Sequence, residues 1–379
     1  MIAGVPKETV AGERRVALVP DLVPKLTAAG LEVVVQSGAG ADAGFLDPAY
    51  AEKGARIAPD ALAPADIVLK VQPPSAAEIA RMKEGATYIG FLAPYTGLAE
   101  IQALAARGIT AFLMELMPRI ARAQSMDALS AMSTVSGYKA VLIAAGLLPK
   151  FFPLLMTAAG TIRPARVFVI GAGIAGLQAI GTARRLGAVV EAYDTRPAVK
   201  EQVESLGARF AELAIEAEDA EDKSGYARAQ SEEFYRKQQE MMRQCVAGAD
   251  VVITTALVPG RRAPVLIPEA TVKSMRPGSV IVDLASEQGG NCALTQPGQD
   301  VVKHGVTIVG RTNLPGTVPF HASQMYARNV TNYLLHLVKQ GTIQLDLTDE
   351  LTRGPLVTHK GEILHEAVKA ALAPGTMAS

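Results

Sequence analysis

Arg166-Val-Phe-Val-Ile-Gly171-Ala-Gly173-Ile-Ala-Gly176-Leu177 reads as a β-branched strand, a glycine-rich turn and the opening of a helix that continues to Leu186. Each glycine has a reason. Gly171 permits the tight turn, Gly173 lets backbone approach a pyrophosphate, and Gly176 lets helix and strand pack closely. Phosphates are held there by the free N–H groups and positive dipole end of the helix. A second strand, Val189 to Tyr193, ends in Asp194, 23 positions after Gly171. That is near the ~20 expected for the acid that binds a ribose. A carboxylate there accepts from a 2′-hydroxyl and repels a 2′-phosphate, so the expected dinucleotide is NAD(H) rather than NADP(H). Arg196 is the one neighbouring feature that favours phosphate.

Outward from this turn, short β-branched runs alternate with longer amphipathic stretches. Residues 2–5, 32–36, 67–71, 87–91 and 109–114 read as strands, with helical patterns over 21–29, 76–82 and 97–106. A long helical stretch over 126–148 follows, broken by Gly137 and Gly146. A second series has strands at 166–170, 189–193, 250–255, 279–283 and 306–309, then a helix over 322–339 and a final one near 361–372. Strands alternating with helices imply βαβ units, so the fold class is α/β with parallel sheets. One division of the chain is discontinuous: residues 1–127 plus 320–379 form one domain, and 128–319 form the dinucleotide-binding domain. Two contiguous domains with a tail is the other.

Composition narrows the function. The 379 residues carry 37 Lys+Arg against 37 Asp+Glu, which argues against nucleic acid and anionic membrane surfaces as main partners. Hydrophobic residues make up 49%, enough to exclude disorder for most of the chain. The opening Met1-Ile-Ala-Gly-Val-Pro6 reads as a strand rather than an export signal. No stretch reaches the ~18 apolar residues of a membrane span, the nearest being 167–182, so no direct membrane insertion is expected. Cys245 and Cys292 are too few for a disulfide framework, and the five histidines show no metal-ligand spacing, so no metal is expected.

Three further segments stand out. Gly38-Ala-Gly40-Ala-Asp-Ala-Gly44 imitates the fingerprint, but its last spacing is one residue too long and no helix is expected after Pro48. It reads as a structural turn, leaving one dinucleotide site. Residues 214–244 form a long acidic and charged interruption, either a solvated insertion or a flap hinged at Ser224-Gly225 with Tyr226 at its tip. Arg119-Ile-Ala-Arg-Ala-Gln124-Ser125-Met126-Asp127 lies at the junction of the two series, where a cleft between α/β domains would fall. Asp127 or Ser125 also suits a cap for the following helix.

Several of these segments together resemble the proton-translocating NAD(P) transhydrogenases. They are Met114-Glu-Leu-Met-Pro-Arg119 through Asp127, the fingerprint from Gly171 to Ile180, Lys200-Glu-Gln-Val-Glu-Ser-Leu-Gly207 and Ile253-Thr-Thr-Ala-Leu-Val-Pro-Gly260. The likeness is to the soluble NAD(H)-binding component, the leading portion of the alpha subunit, within a superfamily that includes alanine dehydrogenase. It implies two Rossmann-like domains with the cofactor between them, in a homodimer. It implies that Arg119, Gln124 and Asp127, with Ser130 nearby and Ser125 and Met126 between, hold the nicotinamide end. Asp194, with Thr195 and Arg196, would take the adenosine ribose beside Gly171, Gly173, Ile174 and Gly176. Gly225 and Tyr226 would be the tip of a mobile loop, and Ala256 and Leu257 a wall of the cleft. NADP(H) is then expected on a partner, the beta subunit, with a membrane-spanning domain for protons. The chain itself would be a cytoplasmic, peripheral subunit on the inner face of the cell membrane.

Alanine dehydrogenase is the rival within the superfamily. Arg15 and Lys70 match the positions that bind its substrate's carboxylate and carbonyl. Phe91, however, falls where its catalytic histidine is expected, and Glu287 replaces an aspartate. A non-catalytic NAD-sensing module is a third reading; it has no need of the 119–127 cluster.

Overall fold

The computed structural model of the protein describes residues 1–212, 232–258 and 260–372. The chain divides into two compact units, Met1–Met132 with Pro315–Ser379, and Ser133–Leu314. Each is built around one sheet.

In the first unit the strand order is Glu362–Ile363, Leu356–His359, Thr110–Leu113, Thr87–Gly90, Ile67–Leu69, Ile2–Val5, Glu32–Gln36, Arg56–Ala58. The six strands from Thr110–Leu113 onward pair in parallel. Val33, Val34 and Val35 are buried together, as a strand covered on both faces requires. Burying each such side chain stabilises the unit by about 1.5–3 kcal/mol. The helix Pro319–Leu337 places Ala322, Tyr326, Val330, Tyr333 and Leu334 in the interior at helical spacing. It begins earlier than the expected residue 322 because Pro319 fits the first turn.

In the second unit the order is Arg209–Phe210, Val189–Tyr193, Arg166–Ile170, Val251–Thr254, Val280–Asp283, Val306–Val309, Asp300–Lys303. One face packs on Ala140, Val141, Ala144, Ala179, Ile180 and Ala183, the other on Met242, Val246, Val272 and Met275. The small residues bring helix backbones close to the sheet. The topological switch lies at Arg166–Ile170, with Val189–Tyr193 on one side and Val251–Thr254 on the other.

Several expectations need correction. The sheets are mixed rather than purely parallel: Leu356–His359 and Glu362–Ile363 form an antiparallel edge in the first unit, and Asp300–Lys303 does so in the second. The final helix begins at Glu366, because Lys360 and Gly361 take positive φ and turn a hairpin instead. The helix Ala128–Leu147 runs unbroken through Gly137 and Gly146. At Gly137 a Cβ would stand 2.1 Å from the carbonyl oxygen of Ala175, so the glycine permits close approach rather than ending the helix. This same helix is long and apolar enough for a membrane span by length and composition, which the sequence reading missed. Core helices pass the same test, and Ala140, Val141 and Ala144 are fully buried in the second unit. Finally, a short helix Asp47–Glu52 does follow the imitation fingerprint.

Candidate functional site

In the second unit, the expected dinucleotide residues gather at the carboxyl ends of the strands, around the switch point. Gly171 has φ +95°, and a Cβ there would meet Thr255 Oγ1 at 2.4 Å. Its N–H donates to the Tyr193 carbonyl at 2.8 Å. Gly176 sits with its Cα against the turn, a Cβ standing 1.8 Å from the Gly171 oxygen. Gly173 differs. It is the extended N-cap of the helix Ile174–Arg185, and among the described residues no side chain caps that end and a Cβ would meet nothing within 4 Å. Backbone donors at a helix N-terminus therefore face open space, which suits an incoming anion. Ile174 beside them is exposed.

Asp194 stands at the end of its strand with both oxygens engaged. Oδ2 accepts from Ala172 N at 2.7 Å, fixing the glycine turn. Oδ1 accepts from Arg196 N and Nε, both at 2.9 Å, and Arg196 NH2 donates to Oδ2 at 2.9 Å. The guanidinium is thus folded back on the carboxylate two residues earlier. Thr195 lies half-buried between them. Across the switch point, Ala256 and Leu257 follow the strand Val251–Thr254. Their loop is held by Asn291, whose Oδ1 accepts from Ala256 N at 3.0 Å and whose Nδ2 donates to Ala256 O at 2.9 Å and Pro264 O at 2.8 Å. Asn291 is fully buried. Beneath it, Asp283 accepts from Thr254 Oγ1, Ala285 N, Cys292 N and Thr295 Oγ1. Sequence reasoning missed both residues. Gly225 and Tyr226 lie outside the described residues.

In the first unit, the segment carrying Arg119, Gln124, Ser125, Met126, Asp127 and Ser130 is one continuous structure. A 3-10 helix Ala121–Met126 leads into the helix Ala128–Leu147. Asp127 caps that helix: Oδ1 accepts from Ser130 N at 2.8 Å, and Oδ2 makes a short hydrogen bond with the Ser130 hydroxyl. Arg119, Gln124 and Ser125 are exposed, while Met126, Asp127 and Ser130 are half-buried. The capping role and a ligand-facing role are compatible, since the cap leaves Arg119 and Gln124 at the surface.

The same unit holds a buried ionic cluster that includes the two cations a keto acid would need. Lys70 is fully buried, with Nζ 2.9 Å from Glu78 Oε1 and 3.2 Å from Glu8 Oε2. Arg15 Nε and NH2 donate to Glu13 at 2.8 and 2.6 Å. Burial alone would raise the Glu13 carboxyl, but the Arg15 hydrogen bonds and charge hold it down at about 2. Glu78 also stays below the usual range: burial opposes this, and Lys70 outweighs it. Glu8 is pushed up by burial despite Lys70. Phe91 packs on Tyr326, ring centroids 5.1 Å apart, and Tyr326 OH donates to the Lys70 carbonyl at 2.7 Å. In the second unit, Glu287 accepts from Asn313 N at 3.0 Å.

Cys245 and Cys292 are free thiols, both raised by burial. Among the described residues no group of His, Cys, Asp and Glu has the arrangement of a metal site. His304 pairs with Glu269, His336 with Asp349, and His359 with Thr110, while His321 lies edge-on to Phe320.

Comparison with known proteins covers nearly the whole chain. The family model described as alanine dehydrogenase/PNT, N-terminal domain matches residues 4–136, and the corresponding C-terminal domain model matches 140–366. The first of the chains that make up the NAD(P) transhydrogenase alpha subunit of Rhodospirillum rubrum is 50% identical over 379 residues, covering 97% of this chain and 99% of the relative. The crystal structure of transhydrogenase from Sinorhizobium meliloti superposes with a TM-score of 0.85 at 42% identity, over 97% of this chain and all of that one. The alanine dehydrogenase of Bacillus subtilis is 32% identical over 382 residues, covering 97% and 94%.

Proposed function

Because the chain belongs to the alanine dehydrogenase/PNT family, both of whose domain models it matches, we propose that it is the NAD(H)-binding component of a proton-translocating NAD(P) transhydrogenase. The observation that carries this choice within the family is the state of Lys70 and Arg15. Each cation is buried and neutralised by carboxylates of its own unit. Both are engaged by these carboxylates rather than offered to a keto acid, and the position at which a histidine would supply a proton holds Phe91 against Tyr326. An amino-acid dehydrogenase must move a proton with its hydride. Exchange of hydride between two nicotinamides requires none at the reacting carbons.

In this reading a bound dihydronicotinamide supplies the hydride, and the protein supplies position and electrostatics. The helix N-terminus at Gly173 holds the pyrophosphate, with Gly171 and Gly176 shaping the turn and Ile174 covering its edge. Asp194, seconded by Thr195 and by the Arg196 backbone, takes the adenosine ribose and disfavours a 2′-phosphate. Ala256 and Leu257 wall the opposite side, and Gly225 with Tyr226 adds further contacts to the nucleotide. Arg119, Gln124 and Asp127, with Ser125, Met126 and Ser130, orient the ring and its carboxamide. NADP(H) is bound by a beta subunit, and a membrane-spanning domain of the assembly moves the proton. The chain acts as a homodimer, peripheral on the cytoplasmic face of the membrane through these partners.

The test mixes purified chain with the partner's NADP(H)-binding domain and follows hydride exchange between nucleotides. Exchange with wild-type chain, and no NADH oxidation by the chain alone with pyruvate and ammonia, is the expected pair of outcomes. NADH oxidation by pyruvate and ammonia would establish the dehydrogenase instead. NADH binding with neither reaction would leave a sensing module.

A further inference from the structure

The segment 119–127 is held from one side by a helix that carries none of the fingerprint. Asn329 Nδ2 and Asn332 Nδ2 both donate to the same acceptor, the Ser125 carbonyl, at 3.0 and 3.1 Å. The two asparagines are three apart on the helix Pro319–Leu337, so they share one face. One turn further, His336 Nε2 lies 3.0 Å from Asp349 Oδ2, and Asp349 in turn faces Arg122 NH1 and NH2, each at 3.4 Å. The segment is therefore tied at Arg122 and again at Ser125 to one stripe of side chains.

Asn329 is an expensive residue for that position. It is buried, and its Oδ1 is shut from solvent with no hydrogen-bond partner among the described residues. An unpaired buried amide oxygen destabilises a core, and asparagine is a poor helix former. What the residue contributes in return is the bond to Ser125. The peptide bond is planar and trans, so fixing the Ser125 oxygen also fixes the direction of the Met126 N–H, which points the opposite way, off the helix. It also fixes the plane from which Asp127 departs.

We propose that Asn329 and Asn332 are positioning residues for the nicotinamide-holding segment, clamping the Ser125 carbonyl so that Arg119, Gln124 and Asp127 stand in register for hydride transfer, with the Asp349–Arg122 pair as the second tie. This rests on the transhydrogenase reading for its kinetic consequence, though not for its structural one. Because the two donors share one acceptor, either alone keeps the carbonyl in place, and removal of both releases it.

The experiment compares Asn329→Ala, Asn332→Ala and the double variant. Each single variant should exchange hydride within about threefold of wild type, whereas the double variant should fall about a hundredfold, with NADH affinity changed less than about threefold. Independently of activity, hydrogen exchange of the amides in 119–127 should accelerate in the double variant alone, while exchange in the sheet strands stays unchanged. If the Asn329→Ala cavity prevents folding, Asn329→Leu, which fills a similar volume without a donor, combined with Asn332→Ala poses the same question. The proposal is overturned if rate and affinity fall together in step with thermal stability, if the single effects simply add, or if exchange in 119–127 is unchanged. If wild-type chain exchanges no hydride at all, the transhydrogenase reading fails, and the hydrogen-exchange comparison still decides whether the clamp exists.

Discussion

The turn after Glu32–Gln36 and the turn after Arg166–Ile170 each use three glycines, yet they end in opposite arrangements. In the first, the space beside Gly40 is taken by Tyr50 OH and Phe45, a Cβ standing 2.5 and 2.6 Å from their atoms. The Gly38 N–H is closed by Asp47 Oδ1 at 2.9 Å, and the helix that follows is six residues long. In the second, the helix opens directly on Gly173, runs twelve residues, and faces space that none of the described residues fills. Glycine content does not make an anion site. The decisive features are a helix starting on the turn and backbone donors that the protein has not filled itself.

The contrast extends along the strand ends of the first unit. Glu8 accepts from Val71 N and Gln72 N, and Glu115 accepts from Leu92 N and Ala93 N, both at 2.7 Å. These donors lie just beyond strands, where a ligand phosphate would otherwise find them, and the unit plugs them with its own acids. The second unit uses Asp194 and Asp283 in the same way beside the turn, but leaves the helix end open.

The largest effect should come from Gly176→Ala. Its Cβ cannot fit 1.8 Å from a backbone oxygen, so the turn must open. We expect a loss of about 3 kcal/mol or more in thermal unfolding, with NADH binding lost alongside. The matching change in the plugged turn, Gly40→Ala, should cost about 1–3 kcal/mol and leave NADH binding intact. Equal loss of binding in both would break the comparison.

Glu115 tests the plugs through pH. Burial pushes its carboxyl up to about 7, against the pull of the Leu92 and Ala93 N–H groups. A carboxyl raised in the folded state binds its proton there and not in the unfolded chain between the two values. Stability therefore falls as pH rises from about 4.5 to about 7, and is level above that. Glu115→Gln should flatten this fall, by at most about 3 kcal/mol, as read from unfolding midpoints across that window. An unchanged slope would show that the carboxyl is solvated.

Smaller effects isolate the open face. Gly173→Ala has φ −74° and free space, so stability should hold within about 0.5 kcal/mol while NADH affinity drops about tenfold by titration calorimetry. Gly38→Ala, at φ +73° and also in open space, should do the reverse: about 1 kcal/mol of stability and no change in affinity.

What the sequence disclosed follows from which interactions are local. The strand, turn and helix from Arg166 to Arg185, and Asp194 after the next strand, were legible because glycine sterics and period-two burial act over a few residues. The Asp127 cap was legible for the same reason. The edge hairpin was not, although Lys360-Gly361 between Leu356–His359 and Glu362–Ile363 carries a turn signal; an antiparallel return strand at the far end of the chain breaks the βαβ rhythm used to read the rest. Asn291 and Asp283 were invisible because most of their partners lie outside any local window, Ala256 being 35 residues from Asn291. Asn329 and Asn332 left a trace that went unused: two asparagines three apart, on one face of an amphipathic helix.

The pairing of Asp194 with Arg196 has a bearing on how such a protein can change over time. One carboxylate holds an arginine two residues away and, in the proposed function, also disfavours a phosphorylated ribose. Exchanging it for a neutral residue would remove the repulsion and this ion pair in the same step. On the proposed reading, an asparagine there, which keeps an oxygen for the Ala172 N–H, would be the shortest evolutionary path between the two pyridine coenzymes that leaves the turn held.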